Sequence, residues 1–349
     1  MTAPSAAGGA DDAGAPNKTK PLRVLRNAVL QIILLGLAVH LIVPQITSLE
    51  HSLAVLRAMN RMLVGLAVAA QIASYVGTGD MVRSLAAVAG KKVGVARGVA
   101  VTLAASSVGT VGAGALGYAA ATFHWLARDI GDEAAGLTAA LTPLLNNAVV
   151  LGVAVLGVAL RLARFGATPE QAGMLEVTLG MLVVAVAAVA LVARRPLSLA
   201  DALDRLAGRV AAARGRVRPP HRIRSLAAPI VENARRLRRG GWRRPMLGAA
   251  LNIGFDMLTL WLLFAASGHA VSPDVLCVGY GLPILVGKVG LLPGGIGVVE
   301  ASMTAIYAGL GVPAGVVVVV VLGYRLLSFW LPLAIGFPMI GVVERAGDA

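Results

Sequence analysis

Long apolar runs alternate with short polar stretches along most of this chain. Many of the runs approach the ~20 apolar residues that a helix needs to cross a bilayer. They are, in chain order, 27–44, 61–78, 98–125, 136–160 and 173–193, then 245–267, 274–306 and 313–342. The run at 61–78 ends in Gly77-Thr78-Gly79-Asp80, which is typical of a turn. The overall pattern predicts an all-α polytopic membrane protein.

The amino-acid composition favours the same class of protein. Hydrophobic residues make up 57% of the 349 positions and charged residues only 14%, and the mean hydropathy is +0.80. A soluble fold is not expected from such values. The net charge of +14 resides in arginines between the apolar runs, where the positive-inside rule explains them. Because aromatic residues are also scarce, no nucleic-acid partner is expected.

Basic residues indicate which regions lie in the cytoplasm. Residues 1–20 lack an apolar segment and are predicted to form a disordered cytoplasmic tail. Residues 194–244 hold fifteen arginines and three acidic residues, which predicts a cytoplasmic linker of amphipathic helices near anionic headgroups. Residues 343–349 form a short second tail. Both termini are therefore expected on the inner side of the cytoplasmic membrane.

The arginine-rich linker limits the number of crossings that can precede it. Five crossings from a cytoplasmic N-terminus would place the linker outside, against its charge. The third region, about 98–127, has a centre rich in glycine and serine, and each of its halves is shorter than a full span. It is therefore predicted to be a re-entrant hairpin. This topology leaves Arg161 and Arg164 outside, which is the smaller violation.

The second membrane half, 245–342, follows the same plan as the first. One crossing is followed by a hairpin at about 274–310, broken at 293–297, and by a returning crossing. At a shift of 180 residues, the segment 114–117 falls on the glycines of 294–297. Because the first half, 21–193, also contains a connecting helix, the halves would be inverted. The predicted architecture has about six transmembrane helices and two opposed re-entrant hairpins related as an inverted repeat.

Ionisable residues surround the break in the second hairpin. Each would cost ~2.5–3.5 kcal/mol near the bilayer centre, so it is expected to face a cavity or a partner. The N-terminus of the returning helix, with Lys288 and Arg325, predicts a phosphate site. Glu300 can pair with either cation, accept from a lipid amine or bind a coupling proton; the alternative is a purely structural ion network. The candidate substrate-binding residues are Lys288, Pro293, Gly294, Gly295, Gly297, Glu300 and Arg325.

Further polar or conformationally special residues are secondary candidates. Asp256 is expected to pair with Lys288 or to take part in coupling. Asn146 and Asn147 are expected to hydrogen-bond between helices, at roughly 0.6 kcal/mol each. Tyr324 and Trp330 favour packing or interfacial roles. The remaining candidates, in the centre of the first hairpin, are Gly112 and Gly114.

The second hairpin and the helix after it also carry a family resemblance. The pattern PGGxGxxE at Pro293 to Glu300, followed by YRxxxxW at Tyr324 to Trp330, resembles the flippase-like membrane domain of lysylphosphatidylglycerol synthetases and its stand-alone relatives. The resemblance implies lipid translocation without the aminoacyl-transfer domain, for which a chain ending at Ala349 has no room. The first hairpin departs from many relatives, because Gly112-Ala113-Gly114 stands where they carry a proline-glycine motif with an acidic residue.

The expected function is translocation of a phosphate-bearing lipid: a phospholipid, an aminoacyl-phospholipid or a polyprenyl-phosphate-linked glycan. The alternative is a non-transporting scaffold that binds an envelope-synthesis enzyme through the linker. An enzyme that uses a polyprenyl-phosphate sugar is a third, weaker option. No Walker A loop or GxSxG motif occurs, the five histidines are scattered and Cys277 stands alone. We therefore expect no enzymatic activity, no cofactor and no bound metal. The expected partners are membrane lipids.

Overall fold

The computed structural model describes residues 57–111, 114–166, 241–289 and 293–345, together with positions 55, 180, 201 and 205. Within these ranges every regular element is helical. The predicted tails, the predicted crossings at 27–44 and 173–193 and most of the linker 194–244 lie outside the described residues. The description below therefore concerns the two hairpins and the crossings that flank them.

Each half of the described chain contains a long helix, a pair of short helices and a second long helix. In the first half these are α1 (Arg61–Val88), α2 (Val95–Val111), α3 (Ala115–Ile130) and α4 (Asp132–Phe165). In the second half they are α5 (Arg243–Ala266), α6 (Pro273–Val289), α7 (Val298–Gly309), α8 (Ala314–Arg325) and α9 (Leu331–Arg345). A 3-10 turn, Pro293–Gly295, lies between α6 and α7, and a π-helical segment, Leu326–Trp330, joins α8 to α9.

Four helices of the described residues are long and apolar enough to cross a membrane: α1, α4, α5 and the continuous segment Ala314–Arg345. They coincide with the predicted crossings at 61–78, 136–160, 245–267 and 313–342. The protein is thus an all-α polytopic membrane protein, as predicted. The turn expected at Gly77 to Asp80 is wrong, because α1 continues through it to Val88. Glycine at position 79 is required there by close packing: a Cβ would lie 2.6 Å from the carbonyl oxygen of Val95 on α2.

The short helices form two helical hairpins at the predicted places. Helix α2 packs against α3 and helix α6 packs against α7. The four helices have 17, 16, 17 and 12 residues, which is below the ~20 residues of a full span. Their bounds, 95–130 and 273–309, agree closely with the predicted hairpins at about 98–127 and 274–310.

The two halves run in opposite directions. Helices α1 and α5, which begin the two halves, are antiparallel: the Asn60 N–H donates to the Ala266 carbonyl at 2.9 Å, while Met81 at the other end lies against Gly248. Each hairpin also packs against the last long helix of the other half, α6 on α4 and α2 on α9. This reciprocal packing is the arrangement of an inverted repeat, and it places the hairpins in opposite orientations.

The largest buried cluster lies around the second hairpin. It joins residues of α1, α4, α5, α6, α7 and α8 and contains three buried tyrosines, Tyr280, Tyr307 and Tyr324, with Phe264. Gly279 on α6 allows the Tyr307 ring to lie directly against the helix backbone, since a Cβ at that position would overlap the ring. The core around the first hairpin is built mainly from small side chains such as Ala104, Ala105 and Ala135.

Candidate functional site

The break in the second hairpin is shaped by three glycines. Gly294, Gly295 and Gly297 have φ values of 65°, 65° and 81°, a region that residues with a Cβ rarely adopt. A Cβ on Gly294 would also overlap the ring of Phe329. In the structure the three glycines allow the turn itself and its packing against the π-helical segment.

Glu300 and Arg325 form a buried ion pair that holds this turn. The Arg325 Nε donates to Glu300 Oε1 at 2.6 Å, and its Nη2 donates to the Gly294 carbonyl at 3.2 Å. The Gly297 N–H donates to Glu300 Oε2 at 2.7 Å. The guanidinium also lies over the Phe329 ring, 4.3 Å from its centre, and both charged residues are about 5% exposed or less. Among the predicted alternatives for Glu300, the structure contains the pair with Arg325.

Lys288 has a different environment. It is exposed at the end of α6, immediately before the break, and its ammonium donates to the Asn147 side-chain oxygen on α4. Among the described residues no carboxylate forms an ion pair with it. Its charge is therefore hydrogen-bonded but not balanced, unlike the charge of Arg325.

Asp256 does not pair with Lys288, so that expectation is wrong. Its Oδ2 accepts hydrogen bonds from the hydroxyls of Tyr280, at 2.7 Å, and Tyr324, at 2.6 Å. Two tyrosines from α6 and α8 thus satisfy the carboxylate of α5 in place of a cation. Tyr324 is buried, in line with its predicted packing role, but its hydroxyl also donates to this acid.

The other secondary candidates lie around this core. Asn146 accepts from the Asn252 amide at 3.5 Å, so each asparagine of the Asn146-Asn147 pair contacts another helix. Trp330 is half-buried and packs edge-on against Phe329 with ring centres 5.3 Å apart. Gly112 lies outside the described residues. Gly114 has φ 57° and is exposed, with open space where a Cβ would stand.

Sequence reasoning missed several residues that build the site. Phe329 covers the turn, Tyr280 binds Asp256, and the Tyr75 hydroxyl donates at 2.5 Å to the Leu327 carbonyl. That carbonyl belongs to the π-helical segment directly after Arg325. Such bulges disrupt the regular hydrogen-bond pattern and often lie at functional sites. Hydrophobic periodicity does not indicate a π-helical bulge, so these contacts could not be predicted from the sequence.

A metal centre has no counterpart in this part of the protein. In the ranges that the structure describes, no group of three histidine, cysteine, aspartate or glutamate side chains is placed to hold a metal ion. The arrangement offers an ammonium that is bound to a neutral amide and that precedes, in the sequence, the turn from which α7 starts.

Comparison with known proteins places these features in a wider group. Residues 29–336 match the family described as the lysylphosphatidylglycerol synthase TM region. A UPF0104 membrane protein of Methanocaldococcus jannaschii is 33% identical over 96 residues, which cover 27% of this chain and 28% of the relative. A UPF0104 membrane protein of Methanothermobacter thermautotrophicus is 36% identical over 81 residues, covering 23% and 24%. A third, from Pyrococcus horikoshii, is 29% identical over 114 residues, covering 33% of each chain.

These pairwise matches span only about a quarter to a third of each relative. The family match is much longer and includes both hairpins and their flanking crossings. With its all-helical inverted halves and its PGG turn, the chain is a multi-pass membrane protein that belongs to the lysylphosphatidylglycerol synthase TM region family.

Proposed function

We propose that this protein translocates a phosphate-bearing lipid across the cytoplasmic membrane, with both termini in the cytoplasm. The lipid would be a phospholipid, an aminoacyl-phospholipid or a polyprenyl-phosphate-linked glycan. Family membership supports a role in lipid handling. Inverted halves with broken helices are, in addition, a recurrent plan among transporters. The protein acts here by binding and reorientation, without chemical conversion of the lipid.

The observation that carries the proposal is the environment of Lys288. Its ammonium lies within an apolar hairpin and bonds to a neutral amide rather than to a carboxylate. An ionic group in such a position is costly unless it has a partner or a role, and a lipid phosphate would supply the missing negative charge. The residue is exposed, so a ligand can reach it.

In this mechanism, the buried Glu300–Arg325 ion pair maintains the shape of the turn. Both oxygens of Glu300 accept hydrogen bonds, and Arg325 binds Glu300 and the Gly294 carbonyl. These two residues therefore preserve the turn from which α7 starts. The first-turn N–H groups of a helix lack intrahelical acceptors and carry partial positive charge, which would complement Lys288 in binding phosphate.

Lipid movement in proteoliposomes tests this function. Headgroup-labelled phospholipids would be followed from one leaflet to the other with wild type, Lys288→Met and Lys288→Arg. Methionine retains the length and apolar character of the stem but removes the charge, whereas arginine retains the charge. Lys92→Met is the matched control, because Lys92 is an exposed lysine in the loop between α1 and α2.

We expect movement with wild type and the control, at least a tenfold loss with Lys288→Met, and partial retention with Lys288→Arg. Tenfold corresponds to about 1.4 kcal/mol, the scale of one charge-assisted hydrogen bond. Equal rates for Lys288→Met and wild type would contradict the role of Lys288. Absence of movement with phospholipids and with a polyprenyl-phosphate probe would contradict translocation and favour the scaffold alternative.

A further inference from the structure

Two equivalent helix interfaces connect the halves. In the first, α4 and α6 run antiparallel and approach so closely that a Cβ on Gly281 would lie 2.8 Å from Ala154, and one on Gly157 would lie 2.6 Å from the Val278 nitrogen. In the second, α2 and α9 are antiparallel, and Gly336 lies against the backbone of Leu103. Both interfaces are therefore smooth contacts of small residues.

Charged residues close the α4–α6 interface at one end. Asp274, in the first turn of α6, accepts from Arg161 Nη1 at 3.1 Å and from Arg164 Nη1 at 3.2 Å. Asp274 is only 4% exposed, and the Arg161 guanidinium also lies 4.8 Å from the centre of the Phe165 ring. These three charged residues are called the Asp274 cluster. It explains how Arg161 and Arg164 are tolerated on their side of the membrane, since an acid of the other half binds both.

One end of the α2–α9 interface also has a polar contact, but there a single hydrogen bond joins the halves and the ion pair beside it lies within the first hairpin. Arg97, in the first turn of α2, donates to both oxygens of Asp129, at 2.8 Å and 3.2 Å. Its Nη1 donates to the Val343 carbonyl at the end of α9, at 3.1 Å. Arg97, Asp129 and the Val343 carbonyl are called the Arg97 cluster.

The two clusters occupy opposite ends of the molecule. Asp129 lies just before the start of α4, and Arg161 and Arg164 lie in its last turns. Since α4 has 34 residues, these ends are on the order of 50 Å apart at 1.5 Å per residue. In each cluster, a residue in the first turn of a hairpin contacts the last turns of a long helix of the other half. The positions are equivalent under the inverted repeat, with the charge on the hairpin reversed.

We propose that the α4–α6 and α2–α9 interfaces are reciprocally coupled gates on opposite membrane faces, held closed by the Asp274 cluster and the Arg97 cluster. Both clusters are intact in the structure, so both gates are closed in this state. The inference rests on the proposed translocation, because a carrier with inverted halves exposes its central site to one face at a time.

The proposed lipid site at Lys288 lies at the same helix interface, α4–α6, as the gate that the Asp274 cluster closes. The bond from Lys288 to Asn147 crosses the same α4–α6 interface at the end opposite Asp274. A phosphate that binds the Lys288 ammonium would compete with Asn147 and remove the polar contact at that end of the interface. Ligand binding would then favour opening of the gate that the Asp274 cluster holds.

Cys277 provides the test, because the chain has one cysteine and it lies in this interface. It is 7% exposed, and a Cβ on Gly157 of α4 would lie 2.8 Å from its Cβ. The full-length protein in nanodiscs would be treated with a water-soluble maleimide, and the labelling rate of Cys277 measured. The variants are Asp274→Asn, Arg97→Gln and the two combined. Arg161→Gln combined with Arg164→Gln removes both cations of the Asp274 cluster and leaves the Asp274 charge near Cys277 in place. This variant therefore separates opening of the interface from a direct effect of the Asp274 charge on thiol reactivity, and it replaces Asp274→Asn if that variant fails to fold.

We expect Asp274→Asn to raise the labelling rate about fivefold or more, the factor that corresponds to a loss of roughly 1 kcal/mol. The combined variant should label more slowly than Asp274→Asn alone, because release of the Arg97 cluster favours the opposite gate. A wild-type rate in the variant that lacks both Arg161 and Arg164 would overturn the proposal, because a rise in Asp274→Asn alone would then reflect thiol reactivity. A combined variant that labels as fast as Asp274→Asn, or faster, would also overturn it, since this indicates independent ends or general loosening. The assay needs no transported lipid, so its result is distinguishable from failure of translocation.

Discussion

The two hairpins have the same architecture but very different turns. Between α2 and α3 of hairpin one, the described residue is Gly114, which is exposed with no atom where a Cβ would stand. Hairpin two turns at a PGG segment held by the buried Glu300–Arg325 pair and covered by Phe329. The buried pair in hairpin two belongs to the particular shape of that turn, beside Lys288.

The largest loss of stability is expected when the Glu300–Arg325 ion pair of hairpin two is broken. Arg325→Met would leave the Glu300 carboxylate buried without a cation, and loss of one member of a buried pair costs about 3–5 kcal/mol. Thermal unfolding in detergent, followed by circular dichroism, measures the effect. Adding Glu300→Gln to Arg325→Met should recover part of the loss, because the unpaired charge is then removed. If Arg325→Met unfolds at the wild-type temperature, the pair does not stabilise the turn.

The glycines of the two turns offer a matched comparison. Gly114→Ala and Gly294→Ala both place a Cβ at positive φ. Gly294 has ψ 10°, close to the left-handed helical region, where a Cβ costs about 1–2 kcal/mol. Gly114 has ψ −125°, a conformation accessible mainly to glycine, so its backbone strain should be larger. At Gly294 the Cβ also meets the Phe329 ring, so overpacking should add about 1–3 kcal/mol. Unfolding temperatures of both variants measure the difference. Gly294→Ala with Phe329→Ala should relieve the overlap but not the strain, so the two changes should not be additive. Additive effects of Gly294→Ala and Phe329→Ala would refute the packing argument.

A smaller difference in stability is expected between variants that each remove one side-chain hydrogen bond from a hairpin to a neighbouring helix. Tyr280→Phe removes one of two donors to the Asp256 carboxylate and should cost about 1.5 kcal/mol. In hairpin one, Ser107→Ala removes a bond to the Leu333 carbonyl and should cost about 0.6 kcal/mol, the typical value within membranes. Urea-dependent unfolding in detergent compares the two. A larger cost for Ser107→Ala than for Tyr280→Phe would contradict this order.

The smallest loss of stability is expected at the exposed C-terminal end of α4. The Arg164 side chain is 60% exposed, so Arg164→Gln should cost well under ~1 kcal/mol and less at high salt. Arg161 is only 19% exposed in its side chain, and Arg161→Gln should cost more than Arg164→Gln. Thermal unfolding at low and high salt measures both variants. A salt-independent loss from Arg164→Gln would show that this arginine stabilises the fold by packing rather than by charge.

Sequence patterns predicted most of the described fold. Apolar length identified the crossings at 61–78, 136–160, 245–267 and 313–342, because spanning helices must satisfy every backbone group internally. Glycine-rich centres and the charge of the linker identified both hairpins. The turn predicted at Gly77 to Asp80 failed because local propensity was overridden by packing of α1 against α2. The crossings predicted at 27–44 and 173–193 remain predictions.

The candidate site was predicted in composition but only partly in pairing, since the Glu300–Arg325 pair was one of several predicted alternatives. Glu300, Arg325, Lys288 and Asp256 were all identified from ionisable residues in apolar segments. Their partners depend on the rotation and axial register of helices that are distant in sequence, and hydropathy contains no such information. Asp256 therefore has two tyrosines in place of Lys288, and Lys288 has Asn147.

The sequence by itself determined the class of protein, the positions of its spanning helices and the location of its breaks, because these follow from the cost of placing polar groups in lipid. Only the tertiary structure decided which charge is neutralised and which is available. Helix packing brings Arg325 to Glu300 and leaves Lys288 with a neutral amide, and the same packing joins each hairpin to the other half of the molecule.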